Sequence, residues 1–110
     1  MEAEAQAHAL LEAFPLSGKA WQVLGHALHA QGKPAIHALE RAVSLLPDDS
    51  VAHYNLGVAL ARKGQTDEAI HQFQEALRLK PDFAYARRSL EVVLAAKARS
   101  SQPSGASTNR

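Results

Sequence analysis

The feature that most constrains this chain is a hairpin-sized pattern that occurs twice. Residues 50–81 read SVAHYNLGVALARKGQTDEAIHQFQEALRLKP, with helix-length segments Ser50–Lys63 and Asp67–Leu79 separated by Gly64-Gln65-Thr66 and stopped before Pro81. Ala52, Leu56, Ala59 and Leu60 fall on one face of a helix of period 3.6, and Ala69, Ile70, Phe73, Ala76 and Leu77 do the same in the second segment. Gly57 sits inside the first helix, where glycine costs about 1 kcal/mol against alanine. That cost is explained if another helix packs so closely that no Cβ fits. Gly64 supplies a left-handed stop to the first helix, and Thr66 or Asp67 is placed to cap the second.

Shifted by thirty-two residues, Leu24-Gly25 fall on Leu56-Gly57, Ala27-Leu28 on Ala59-Leu60, and Gly32 on Gly64. Beyond the turn the offset becomes thirty-four, aligning Ala35-Ile36-His37 with Ala69-Ile70-His71, Ala42 with Ala76 and Pro47 with Pro81. The upstream copy therefore lacks two residues in its turn, Gly32-Lys33-Pro34, and Pro34 is expected at the first helical position. A hairpin repeated at this period implies a stacked solenoid, because one hairpin alone cannot bury its apolar face.

Trp21-x-x-Leu24-Gly25-x-x-Leu28, followed by Ala35, Leu39, Ala42 and Pro47, resembles a tetratricopeptide repeat. Leu56-Gly57-x-x-Leu60, Ala69, Phe73, Ala76 and Pro81 resemble it again, with His53 in the tryptophan slot and Leu in the usual tyrosine slot of both copies. The resemblance implies an all-α fold, a right-handed α-solenoid of about six helices. The expected domain is 1–98: a half-repeat helix over 1–14, repeats over 18–49 and 50–83, and a capping helix over 84–98. Ala3, Ala7, Leu10, Leu11 and Phe14 share one face of the first helix, and Pro15 lies thirty-two residues before Pro47. Met1–Phe14 thus reads as the second half of a hairpin, either a natural start or a cut from a longer array. Asp82 is placed to cap the last helix, which turns Tyr85, Ala86, Leu90, Val93 and Leu94 inward and Arg87, Glu91 and Lys97 outward. Residues 99–110, RSSQPSGASTNR, are small and polar, the composition of a disordered tail or linker.

Composition narrows the function. A formal net charge of +1 over 110 residues gives no long-range field for nucleic acid or an anionic membrane. No stretch approaches the roughly 18 apolar residues of a membrane span. The chain has no cysteine, hence no disulfide or thiolate chemistry, and its acidic start lacks the basic region of a signal peptide; both suit the cytoplasm. No phosphate-binding glycine loop, HExxH or Gly-x-Ser-x-Gly elbow occurs, and Glu75 near Arg78 reads as a surface pair. No enzymatic activity and no cofactor are implied.

Six histidines invite a metal reading. His37 and His71 are equivalent by the repeat and read as solvated surface; His53 reads as a partly buried packing residue. His26 and His29 stand three apart on one helix, but two ligands without a third do not make a metal site. No metal is assigned.

The resemblance places the first helix of each hairpin on a concave face that binds peptides in this family. The matching candidates are Gln22, His26 and His29, then Tyr54, Val58 and Arg62, then Tyr85, Arg88 and Val92. Aromatic residues and arginine dominate binding hot spots, although Tyr54 and Tyr85 equally suit shielding of the core. Some family members clamp acidic chaperone tails; the matching slots here are Gln22, His26, Asn55, Val92 and Ala96, of which Asn55 alone fits. The expectation is a non-enzymatic module for protein–protein interaction, whose partner is a protein or peptide and whose own copy is a possible homodimer partner. An arm of a larger enzyme, of the bacterial glycosyltransferase or sulfotransferase type, and a self-associating scaffold remain the alternatives.

Overall fold

The structure, a computed structural model, describes residues 2–13 and 17–101. Among these there are six α-helices and no strand: α1 Glu2–Ala13, α2 Gly18–Ala30, α3 Ile36–Leu45, α4 Ser50–Arg62, α5 Thr66–Leu79 and α6 Ala84–Ser101. Each helix packs on its neighbours in the chain. Beyond these, the backbones of α2 and α4 and of α4 and α6 come within 8 Å between Cα atoms, whereas those of α1, α3 and α5 do not approach one another so closely among the described residues. The layer whose helices meet lies on the inside of the curve, so α2, α4 and α6 form the inner layer. The extents are 61 × 29 × 19 Å and the radius of gyration is 16.2 Å, against about 13 Å for a compact chain of this length. This is an α-solenoid.

The two hairpin turns share one geometry. After α2, the Gly32 N–H bonds His29 O at 3.0 Å and the Lys33 N–H bonds Leu28 O at 2.9 Å. After α4, Gly64 and Gln65 do the same to Ala61 and Leu60 at 3.0 and 2.9 Å. These bonds satisfy carbonyls that the helix end leaves open, with the chain turned by a left-handed residue. Gly32 and Gly64 take that conformation, at φ 71° and 84°.

Packing follows the small-against-large pattern. A Cβ on Gly57 would lie 2.7 Å from Cε1 of Phe73, and one on Gly25 would lie 2.7 Å from Cγ of Leu39. Each glycine lets the second helix of its own hairpin seat its largest core side chain. Phe73 and Leu39 are each 1% exposed, and burying such a side chain contributes about 1.5–3 kcal/mol. Around them Ala35, Leu56, Ala59, Leu60, Ala69, Ile70 and Val93 form the main core, while Ala7, Leu24 and Ala38 form a smaller one toward α1.

His53 is more deeply buried than expected, at 7% exposure. Its Nε2 donates to the Pro47 carbonyl at 2.8 Å, and its Nδ1 stands 2.7 Å from the side-chain amide oxygen of Gln72. It ties α4 to α5 and to the turn before α4. His37 is exposed but meets Trp21 edge-on, with centroids 5.9 Å apart, and Arg41 lies over the same indole. Its equivalent His71 has no aromatic contact among the described residues, since His53 replaces the tryptophan.

Several boundaries differ from the sequence expectations. Neither Thr66 nor Asp67 caps α5 through its side chain: Gln65 is the N-cap residue, the Thr66 hydroxyl faces the Gly64 carbonyl at 3.5 Å, and Asp67 pairs with Lys97 at 2.6 Å. Ser17 and Asp49 do cap by side chain, Ser17 accepting from Ala20 N and Asp49 from Val51 N and Ala52 N. Asp82 lies one residue too early, because Phe83 O accepts the Arg87 N–H. Pro34 stands outside α3: Ala35 O accepts the first helical bond from Leu39 N. Helix α3 has ten residues where α5 has fourteen: two residues are missing from the chain, and two more, Pro34 and Ala35, stay outside the helix, so its first turn is lost. In α6, Ala86 and Val93 are buried and Leu90 half-buried, but Tyr85 and Leu94 are exposed, because no further helix covers that side among the described residues. Helix α6 runs to Ser101, so Arg99–Ser101 extend it. The expected tail beyond, Phe14 and Pro15, and the side chains of Ala3, Leu10 and Leu11 lie outside the described residues. No described helix is long and apolar enough to cross a membrane.

Candidate peptide groove

The inner layer carries a groove between α2 and α4. At one end a cavity of about 750 Å³ is lined by Lys19, Gln22, Val23, His26 and Ala27 of α2 with Asp49, Val51 and Asn55 at the start of α4. A second cavity, of about 230 Å³, continues from the shared His26 and Asn55 to His29, Tyr54 and Val58, with Leu39 among its walls. The groove is apolar along its walls and carries hydrogen-bonding groups at intervals. Lys19 and Asp49 close one rim, 3.7 Å apart.

The predicted residues take distinct roles in this geometry. Gln22 is buried and accepts from Lys19 Nζ at 3.2 Å, while His26 is exposed at the junction of the two cavities. His29 is half-buried, and Arg62 Nη1 donates to its Nε2 at 3.1 Å across the gap between α2 and α4. A guanidinium has no acceptor, so this nitrogen carries the lone pair and the ring proton sits on Nδ1. Burial first, then the Arg62 charge and then His26, hold the His29 pKa below the usual histidine value. Val58 is half-buried on the groove wall.

Tyr54 is half-buried, its ring 5.9 Å from Phe73, 5.1 Å from Phe83 and 6.5 Å from Tyr85 between centroids. It serves the core and the groove together. Tyr85 is 72% exposed and Val92 61% exposed on α6, with Arg88 exposed on the same helix. Arg88 has no ion-pair partner among the described residues. The structure therefore brings Gln22, His26, His29, Tyr54, Val58 and Arg62 around the α2–α4 gap, and joins Tyr85 to them through Tyr54. Arg88 and Val92 belong to the open strip on α6.

Sequence reasoning gave no groove role to Val23 or Phe83. Val23 sits one residue from Gln22 and is exposed despite its apolar side chain, a signal available in the helical spacing. Phe83 lies twenty-nine residues from Tyr54, and no local pattern links them. The described residues contain no cluster of three or more His, Cys, Asp or Glu able to hold a metal. At His29 the Arg62 guanidinium already occupies the lone pair that a metal would need.

A tetratricopeptide-repeat family model matches residues 50–83. Among solved structures, a mutant of the Thermobaculum terrenum O-GlcNAc transferase is 35% identical with a TM-score of 0.77, over 83% of this chain and 18% of that one. MamA is 27% identical with a TM-score of 0.83, over 88% of this chain and 54% of its own. YrrB, described as a tetratricopeptide-repeat protein with an unusual peptide-binding site, is 32% identical with a TM-score of 0.81, over 88% of this chain and 51% of its own. The chain thus spans about half the length of MamA and YrrB and under a fifth of the transferase. No curated protein sequence matches it. Residues 50–83 are a tetratricopeptide repeat, the hairpin before them repeats its pattern and its turn geometry, and the chain is a tetratricopeptide-repeat protein.

Proposed function

We propose that the protein is a non-enzymatic interaction module whose inner face binds an extended peptide or a partner helix. The observation that carries this is the continuity of the groove: the two cavities share His26 and Asn55 and lead to Tyr54, beside which Tyr85 lies open. Gln22, His26, His29, Tyr54 and Val58 form its walls, Arg62 stands at its end through the bond to His29, and Tyr85, Arg88 and Val92 continue it onto α6. An amphipathic ligand, uncharged to acidic, suits this surface. Its apolar side chains would cover Val58 and Tyr85, and Arg88 would take a carboxylate in a forked pair. YrrB, similar over most of this chain, is a protein with a peptide-binding site, which supports the class of ligand.

Similarity to an O-GlcNAc transferase supports a second reading, in which these repeats are an arm of a larger enzyme. Self-association through the same strip is the third, one patch then serving both subunits.

Affinity capture by the wild type beside the double change Tyr85→Ala with Arg88→Ala tests the proposal. Both residues are exposed, so the fold is spared, whereas removing the half-buried Tyr54 would disturb Phe73. Loss of capture with unchanged helicity and monomeric mass is the expected outcome. Conversion of a dimer to a monomer would favour self-association, and capture at full strength would rule out the inner face.

A further inference from the structure

The missing first turn of α3 leaves a cleft of about 580 Å³ on the loop edge of the solenoid. Its walls come from the end of α2 (His29), the turn (Lys33, Pro34), the start of α3 (His37) and the end of α4 (Arg62, Lys63). We propose that this cleft is an oxyanion site, taking a phosphate-class dianion between Arg62, Lys63 and Lys33.

The charge of the lining is one-sided. Three cations and two imidazoles line the space and no carboxylate does, although one of the cations, Lys33, is ion-paired with Glu4 of α1. The downstream hairpin shows what the deletion removed: the first turn of α5 carries Asp67 and Glu68, whereas α3 has no acidic residue in its first turn. Lys33 is held by Glu4 of α1 at 2.8 Å, and Arg62 donates to His29 at 3.1 Å, so both heads are positioned before any ligand arrives. Lys63 has no ion-pair partner among the described residues and supplies the uncommitted charge. The N-cap residue Ala35 offers no side-chain cap, so backbone donors of α3 stay available beside the cations. Charge-assisted bonds to an oxyanion are about twice as strong as neutral ones. The volume lies within the roughly 300–1,000 Å³ typical of ligand clefts, enough for a phosphate together with the group that bears it.

This site shares His29 and Arg62 with the groove, but its Lys33, Lys63 and His37 lie outside the groove, and it is tested without a peptide partner. A small anion probes it, so failure of peptide capture would leave it standing. The test titrates the full chain at low ionic strength with inorganic phosphate, with sulfate, and with a phosphoserine tetrapeptide beside its unphosphorylated form, following the His29 and His37 ring signals by NMR. Saturable shifts with phosphate and sulfate are expected, weakened at least tenfold by Lys63→Glu at unchanged helicity and untouched by Arg78→Glu, a charge change on α5 away from the cleft. Binding of the phosphopeptide alone would assign the site to a phosphorylated side chain rather than to the free anion. Absence of saturable shifts with every probe would overturn the proposal. So would an equal loss in Lys63→Glu and Arg78→Glu, since net charge alone would then account for the attraction.

Discussion

Replacing Gly57 by alanine sets two calculable effects against each other. In an open helix the change would stabilise by about 1 kcal/mol. Here the new methyl would lie 2.7, 2.8 and 3.1 Å from Cε1, Cδ1 and Cζ of Phe73. That ring is 1% exposed and backed by Tyr54, so it has little room to withdraw. Overpacking of this kind costs about 1–3 kcal/mol, leaving a net loss of about 0–2 kcal/mol after the propensity gain. The decisive comparison uses Phe73→Ala, itself destabilising by about 3–5 kcal/mol. With the ring gone the clash is gone, and adding Gly57→Ala should now stabilise by about 1 kcal/mol. The sign reverses between backgrounds, a coupling of about 1–3 kcal/mol, as expected for residues in contact. Urea unfolding of the four proteins, followed by circular dichroism, measures it. Were Gly57→Ala to stabilise both backgrounds equally, the close approach of α4 and α5 would not be the reason for the glycine.

Two further outcomes follow from buried polar groups. His53→Ala should cost about 1–3 kcal/mol by leaving the Pro47 carbonyl and the Gln72 amide without their partner, read in the same unfolding assay. The His29 pKa is lowered on folding by burial, Arg62 and His26, so the unfolded chain takes up this proton first as pH falls. Stability should therefore decline below about pH 6.5, the unfolded value, through the lowered folded pKa. His29→Gln should flatten that part of the profile, and an unchanged profile would remove His29 as its cause.

The hairpin over residues 50–81 was legible because its cues are local and agree. Gly57 against Phe73, Gly64 at the turn, and alanines at helical spacing each favour the same packing. The start of α3 was not legible, because a two-residue deficit can be taken from the loop or from the helix, and Pro34 is acceptable in either. Packing decided it: Leu39 must face Gly25, which fixes the helix in register and leaves the shortfall at its first turn. The cleft beside Lys63 follows from that choice and was invisible for the same reason. On α6, helical periodicity placed Tyr85 and Leu94 inward, but period alone does not say which stripe has a neighbour. The groove candidates on α2 and α4 came from the family resemblance. Their pairing across the gap, His29 with Arg62 and Tyr54 with Phe83, joins residues 33 and 29 positions apart and required the fold.

Which face meets the partner is the decisive question. Two-dimensional NMR of the labelled chain, with and without a captured peptide or partner, maps that face directly. The expected footprint covers His26, Asn55, Val58, Tyr85 and Val92 on the inner layer, with Glu40, Ser44 and His71 on α3 and α5 unmoved. A footprint on α3 and α5 that spares α2, α4 and α6 would contradict it.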